Sequence, residues 1–257
     1  MRDIPYFWQG APSAPVPVEP LWQEFVRTLG GIVVQDVIPE PRNFQNADFA
    51  FPDQGVIAEL KEVETEFSGT ASFLSGFKKS MDRLLTERPE WRPNLFGGDG
   101  KIPSWFTPEI VRLCRPPLSR ILKKANRQIR ETKLHFGVTS QTGVLLLVND
   151  GFTSISPELI RAQVSELLLN SYSSISCCVY LTVNRYIEFL GDPEPKLLWV
   201  TAYSDTAPDS LVVFVDELGR KWFDFLEIKL GPFNSRSEMP YSAAILKGTR
   251  AVHIPGE

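Results

Sequence analysis

The chain has 257 residues, 43% of them hydrophobic and 11% aromatic, which is enough for a full core and argues against disorder. A net charge of −4 confines any nucleic-acid surface to a local patch, and two histidines with three cysteines argue against a zinc cluster or a histidine-driven hydrolase. No apolar run approaches a membrane span and the start lacks the pattern of a signal peptide, so the expectation is a soluble, cytoplasmic protein with no membrane partner.

Residues 11–20 hold four prolines and read as an extended arm, so that residues 1–20 form a lead-in to the domain. Leu21, Trp22, Phe25, Val26 and Leu29 then recur at helical spacing and are closed by Gly30 and Gly31. Residues 32–38, 47–51 and 56–63 read as three strands, with a turn at 52–55. A helix is expected over 72–85, and 88–117, rich in Pro, Gly and Trp, reads as a long irregular excursion. A second helix over 118–133 leads into an apolar strand at 143–150. Ser156 as N-cap and Pro157 at the first helical position announce a third helix. The apolar run holding Cys177 and Cys178 reads as a strand, its cysteines as small strand residues.

Beyond Gly191 the runs "KLLWVTAY", "LVVFVDE" and "WFDFLEIKL" all read as strands. The order predicts an α/β fold, a mixed central sheet flanked by helices, as one domain over 21–257. Its core would span about 21–190, with a β-rich extension over 191–257.

Chemistry in such a chain falls to carboxylates and lysines. On a strand over 56–63, Glu59 and Lys61 point to one face, and a short hairpin brings Asp48 to the same end. Two carboxylates and a backbone carbonyl make a hard oxygen site suited to Mg²⁺, with Mn²⁺ as a substitute. Lys61 would orient a water or neutralise charge on a phosphate. A charged hairpin edge in solvent is the plain alternative.

The helix, the three strands and the following helix–strand pair, taken with Asp48 and Glu59-Leu60-Lys61, resemble the PD-(D/E)xK nuclease superfamily, the restriction-endonuclease-like fold. The resemblance covers roughly residues 21–183. It implies a Mg²⁺-dependent phosphodiesterase acting on DNA in preference to RNA, in the manner of a bacterial defence or toxin-like nuclease. Asp48, Glu59 and Lys61 would be catalytic, and Glu24 on the first helix would join Asp48 and Glu59 as a metal ligand. Ala47 stands where the family often has proline.

The same spacing recurs at Asp216, Glu227 and Lys229, read as a second hairpin. It is disfavoured because no helix closely precedes it and a loop follows. A phosphate-binding surface is expected on the 118–133 helix, where Arg120, Lys123, Lys124, Arg127 and Arg130 expose one sign of charge. Between Arg112 and Lys133 the chain has eight Lys or Arg against one acid, Glu131. The rival functions are an inactive scaffold of the same fold within a larger complex and an RNA-cleaving nuclease with the same site. A homo-oligomer or a protein partner is left open.

Overall fold

A computed structural model describes residues 8–9, 11–39, 44–93, 100–192, 194–239 and 246–252. Helix α1 (Val18–Thr28) opens the fold, and strands β1 (Ile32–Val33), β2 (Phe49–Phe51) and β3 (Val56–Val63) follow it. Helices α2 (Ala71–Glu87) and α3 (Phe106–His135) lead to β4 (Thr142–Asn149), and α4 (Pro157–Ser171) leads to β5 (Cys177–Leu181). Strands β6 (Tyr186–Glu188) and β7 (Trp199–Tyr203), helix α5 (Asp209–Leu230) and β8 (Arg250–Val252) complete the order.

Six strands form one sheet in the order β1-β2-β3-β4-β5-β7. The first three are an antiparallel meander, β3, β4 and β5 run parallel, and β7 returns antiparallel at the far edge. This is an α/β architecture with a six-stranded mixed sheet flanked by helices. The parallel centre is covered on both faces, and that explains why β4 and β5 are apolar almost throughout rather than alternating. Cys177 and Cys178 are buried free thiols in β5, as the strand reading expected.

One face of the sheet packs through Ile57, Leu145, Leu147 and Tyr180 on Leu118, Leu122, Ala125 and Ile129 of α3 and on α4, with α2 lying on α3. The opposite face packs through Phe49, Ala58, Leu146 and Val179 on α1 and α5. There Trp22 of α1 stacks on Trp222 of α5 at 4.3 Å between centroids and on Trp199 of β7 at 6.3 Å. Such ring pairs add about 0.5–1.5 kcal/mol beyond their buried area. Two loops at the C-terminal ends of β3 and β4 are joined by Glu66, whose carboxylate accepts the N–H groups of Thr153 and Ser154.

The structure corrects several sequence expectations. Val18, Glu19 and Pro20 belong to α1 rather than to an extended arm. First-turn N–H groups have no intrahelical acceptor, so proline is tolerated there. Residues 106–117 are helical too, and α3 runs through Pro116 and Pro117. Each interior proline forfeits a backbone bond, at about 3 kcal/mol. The buried stripe Cys114, Leu118, Leu122, Ala125, Ile129 crosses them unbroken and holds the helix to the sheet. Of 32–38 only Ile32–Val33 is strand, followed by a 3-10 turn at Val34–Asp36.

The largest correction is at the C-terminal end, which is not a β-rich extension. The two runs read as strands are one 22-residue helix, α5. Its buried residues Leu211, Val215, Leu218, Trp222, Phe225 and Leu226 repeat at helical intervals of three and four. β-Branched and aromatic residues mimicked strand composition, and Gly219 mimicked a turn. A Cβ on Gly219 would meet Trp199 ring atoms at 2.8 Å, so glycine here permits close helix–sheet contact.

Candidate active site

Gly55, at φ 64°, ends the 3-10 turn Pro52–Gln54 and reverses the chain from β2 into β3. The register pairs Phe49 with Ala58 and Ala50 with Ile57, which sets Asp48 beside Glu59 at the open end of the pair. Glu59 and Lys61 alternate with Leu60, so they face the α3 side while Leu60 enters the α1–α5 core. Asp48, Glu59 and Lys61 therefore converge, as the sequence led one to expect.

Asp48 Oδ2 accepts the Leu60 N–H at 2.7 Å. Glu59 is 0% exposed, its Oε1 ion-paired with Lys61 Nζ and its Oε2 buried without a hydrogen-bond partner. Burial, then the neighbouring Asp48 charge, pushes the Glu59 carboxyl up to about 8. Burial also raises Asp48, opposed by the Leu60 N–H and Lys61. Two desolvated carboxylates with one ammonium leave the site short of positive charge.

Helix α3 clamps the segment leading into Asp48. Thr132 Oγ1 accepts the Ala47 N–H at 2.7 Å, Gln128 Nε2 donates to the Asn46 carbonyl at 2.9 Å, and Glu131 Oε2 accepts the Gln45 N–H at 3.1 Å. Gln128 is thus a positioning residue for the acid. An open cleft of about 490 Å³ adjoins Asp48, lined by Gln35, Phe44, Gln45, Asn46, Lys124 and Gln128.

Glu24 is not brought into this group. It is 48% exposed and ion-paired with Lys229 of α5, and among the described residues no three His, Cys, Asp or Glu side chains cluster to hold a metal. The α1 acid whose charge reaches Asp48 is Glu19, in the helix's first turn. Assigning that turn to an extended arm hid it. The alternative set also separates: Asp216, Glu227 and Lys229 lie along α5, not on a hairpin, and Glu227 accepts from Arg236 and from the Phe233 N–H.

Arg120, Lys123, Lys124, Arg127 and Arg130 are all exposed on α3. Arg127 is held by Glu131 at 2.7 Å, and Arg120 donates to the Pro116 carbonyl at 3.3 Å. Lys124 lies at the cleft beside Asp48, so the basic face reaches the acids.

A second acid pair lies on the other face of β3. Burial, then hydrogen bonding to Asp150, raises Glu62 to about 8. Asp150 accepts from Asn184 Nδ2 at 2.7 Å, and the same amide side chain also exchanges bonds with the Val16 backbone, anchoring the proline-rich lead-in.

Among the described residues no helix is long and apolar enough to cross a membrane. No family model, curated protein or solved structure matches the chain.

Proposed function

We propose that the protein is a metal-dependent nuclease of the PD-(D/E)xK, restriction-endonuclease-like kind, hydrolysing phosphodiester bonds of DNA. The observation that carries this reading is the convergence of Asp48, Glu59 and Lys61 on one side of the β2–β3 pair. The order helix, three-stranded meander, two helices, parallel strand around them supports it.

The donor set fits a hard divalent cation. Mg²⁺ is commonly held by one or two carboxylates, with water and phosphate supplying the rest. Glu59 has a buried oxygen with no partner, and Asp48 opens onto the cleft. Mg²⁺ bound there would lower the pKa of a coordinated water and offset charge on the phosphate.

The chain's own residues perform the remaining tasks. Leu60 N–H fixes the Asp48 carboxylate, and α3 fixes the segment before it. Lys61, 19% exposed, keeps an ammonium beside Glu59, where it counters negative charge on a phosphate drawn to the site. The exposed cations of α3 attract the nucleic-acid backbone without reading its sequence.

The full chain incubated with DNA in Mg²⁺ or Mn²⁺ is expected to nick or degrade it, and to be silent in EDTA. Equal cleavage in EDTA overturns the metal mechanism. The complete burial of Glu59 under Lys61 favours one rival, an inactive scaffold of the same fold. Absence of cleavage of any DNA or RNA decides for it, and cleavage confined to RNA decides for an RNA nuclease.

A further inference from the structure

The cleft beside Asp48 has a lining that phosphate binding alone does not require. Of its seven residues, four are carboxamides (Gln35, Gln45, Asn46 and Gln128), one is aromatic, one is an acid and one is a lysine. A phosphate backbone takes up cations and N–H donors, but it has no use for the acceptor oxygens that each carboxamide also carries or for an aromatic wall, and Lys124 is the single cation in the lining.

Three of these carboxamides, Gln35, Gln45 and Gln128, keep open hydrogen-bonding groups, whereas Asn46 donates to the Ala47 carbonyl. The side chains of Gln35 and Gln45 are exposed and have no partner among the described residues. Gln128 is 8% exposed, and its Oε1 is buried with no hydrogen-bond partner although Nε2 is engaged by Asn46. A buried acceptor left open costs free energy that a donor on a ligand recovers. Phe44 supplies the aromatic wall, half-buried against the core, with His135 stacked on it at 4.8 Å between centroids.

Carboxamides offer a donor and an acceptor side by side, the pattern that matches the hydrogen-bonding edge of a nucleobase. An aromatic side chain adds a surface on which an unpaired base stacks. The cleft volume, about 490 Å³, lies within the range of small-molecule sites. Asp48 is part of the lining, so the phosphate of a nucleotide seated in the cleft would be within reach of the carboxylates.

We infer that this cleft is a nucleobase subsite, receiving the unpaired base of a nucleotide next to the cleaved phosphate, so that the substrate is single-stranded nucleic acid. A base in a duplex is stacked and paired and cannot enter such a cleft without being extruded. The inference rests on the proposed nuclease reading for where the phosphate lies, whereas recognition of the base depends only on the cleft.

The test is equilibrium binding, in Ca²⁺ to prevent turnover, of the full chain to a short labelled single strand. The comparisons are the same sequence as a blunt duplex and the same strand with its bases replaced by abasic sites. The single strand is expected to bind about tenfold more tightly than either. Phe44→Ala should remove most of that margin, and the double variant Gln35→Ala/Gln45→Ala, changing only exposed side chains, should reduce it as well. Equal affinity for strand, duplex and abasic strand overturns the subsite, as does a margin indifferent to both variants. Cleavage in Mg²⁺, assayed in parallel, reports on the nuclease reading separately. A base-dependent margin without cleavage retains the subsite and removes the enzyme, and cleavage without the margin does the reverse.

Discussion

Asp48 accepts the backbone N–H of Leu60 at 2.7 Å, so the acid that ends one segment is fixed by the strand that carries Glu59 and Lys61. That bond crosses the hairpin at the point where two carboxylates are removed from water together. Mutual repulsion would otherwise drive them apart. The N–H and the Lys61 ammonium hold them close, at the expense of a Glu59 oxygen without a partner. The site is therefore a destabilised element of the fold, and its energetics are measurable without a substrate.

Glu59→Gln should stabilise the metal-free protein while abolishing metal-dependent cleavage. Folding raises the Glu59 pKa from 4.5 to about 8, so the native state binds the extra proton in between. Stability contributed by that proton is present at low pH and is lost as pH rises through this window. Glu62 acts with the same sign in both proteins and cancels from the difference. The gap in melting temperature between variant and wild type should be near zero at the acid end and widen towards pH 8. The slope is bounded by about 1.4 kcal/mol per pH unit. A variant less stable than wild type at pH 8 would refute the electrostatic account.

Lys61→Ala should lower cleavage by at least about a hundredfold, the scale for removing one preorganised charge from a reacting phosphate. It also strips a wholly buried carboxyl of its cation, so the Glu59 pKa should rise further and the group should hold its proton to higher pH. Lys229→Ala is the control. It breaks an exposed pair with Glu24, worth roughly 0–1 kcal/mol, and should leave cleavage intact. Loss of activity in Lys229→Ala with survival in Lys61→Ala would reverse the choice of site.

Thr132→Val should act through position alone. It keeps the shape of a fully buried side chain but leaves the Ala47 N–H without its acceptor, a cost of about 1–3 kcal/mol. Calorimetric Ca²⁺ affinity should fall as Asp48 loosens. A Thr132→Ser variant, which keeps the hydroxyl, should restore it. If both variants bind Ca²⁺ alike, the clamp has no bearing on the acid.

Asp48, Glu59 and Lys61 were legible because strand alternation and a four-residue turn are local rules, and nothing distant overrides them. Glu24 was expected beside Asp48, yet the α1 acid whose charge acts on Asp48 is Glu19, for an equally physical reason. Which acid of a helix reaches a neighbour depends on where the helix starts, and Pro17 and Pro20 disguised that start. α5 was misread because its aromatic and β-branched content is shared by strands and buried helices. Its three- and four-residue interval was the signal available to separate them. The cleft lay beyond local rules altogether, since Gln35, Phe44, Lys124 and Gln128 meet only through packing of α3 on the meander.

The exposed row on α3 should account for the salt dependence of nucleic-acid binding. Arg127 spends its charge partly on an ion pair with Glu131, whose carboxyl pKa the Arg130 charge also lowers, whereas among the described residues Lys123, Lys124 and Arg130 form no ion pair. Each cation that contacts a phosphate releases a condensed counterion, so log affinity falls by about 0.7–0.9 per contact for each unit of log salt. Reversing Lys123 and Arg130 to Glu should therefore flatten the slope by about 1.4–1.8 and weaken binding equally for unrelated sequences. Both side chains are exposed and neither lines the cleft, so Ca²⁺ binding at Asp48 and Glu59 should persist. Arg127→Glu should lower the slope less than an unpaired cation does, and it carries a structural penalty. Glu131 would face a like charge while still accepting the Gln45 N–H that steadies the approach to Asp48. A double reversal that leaves both affinity and slope unchanged would make the row an ordinary solvated face and require the backbone to approach from elsewhere.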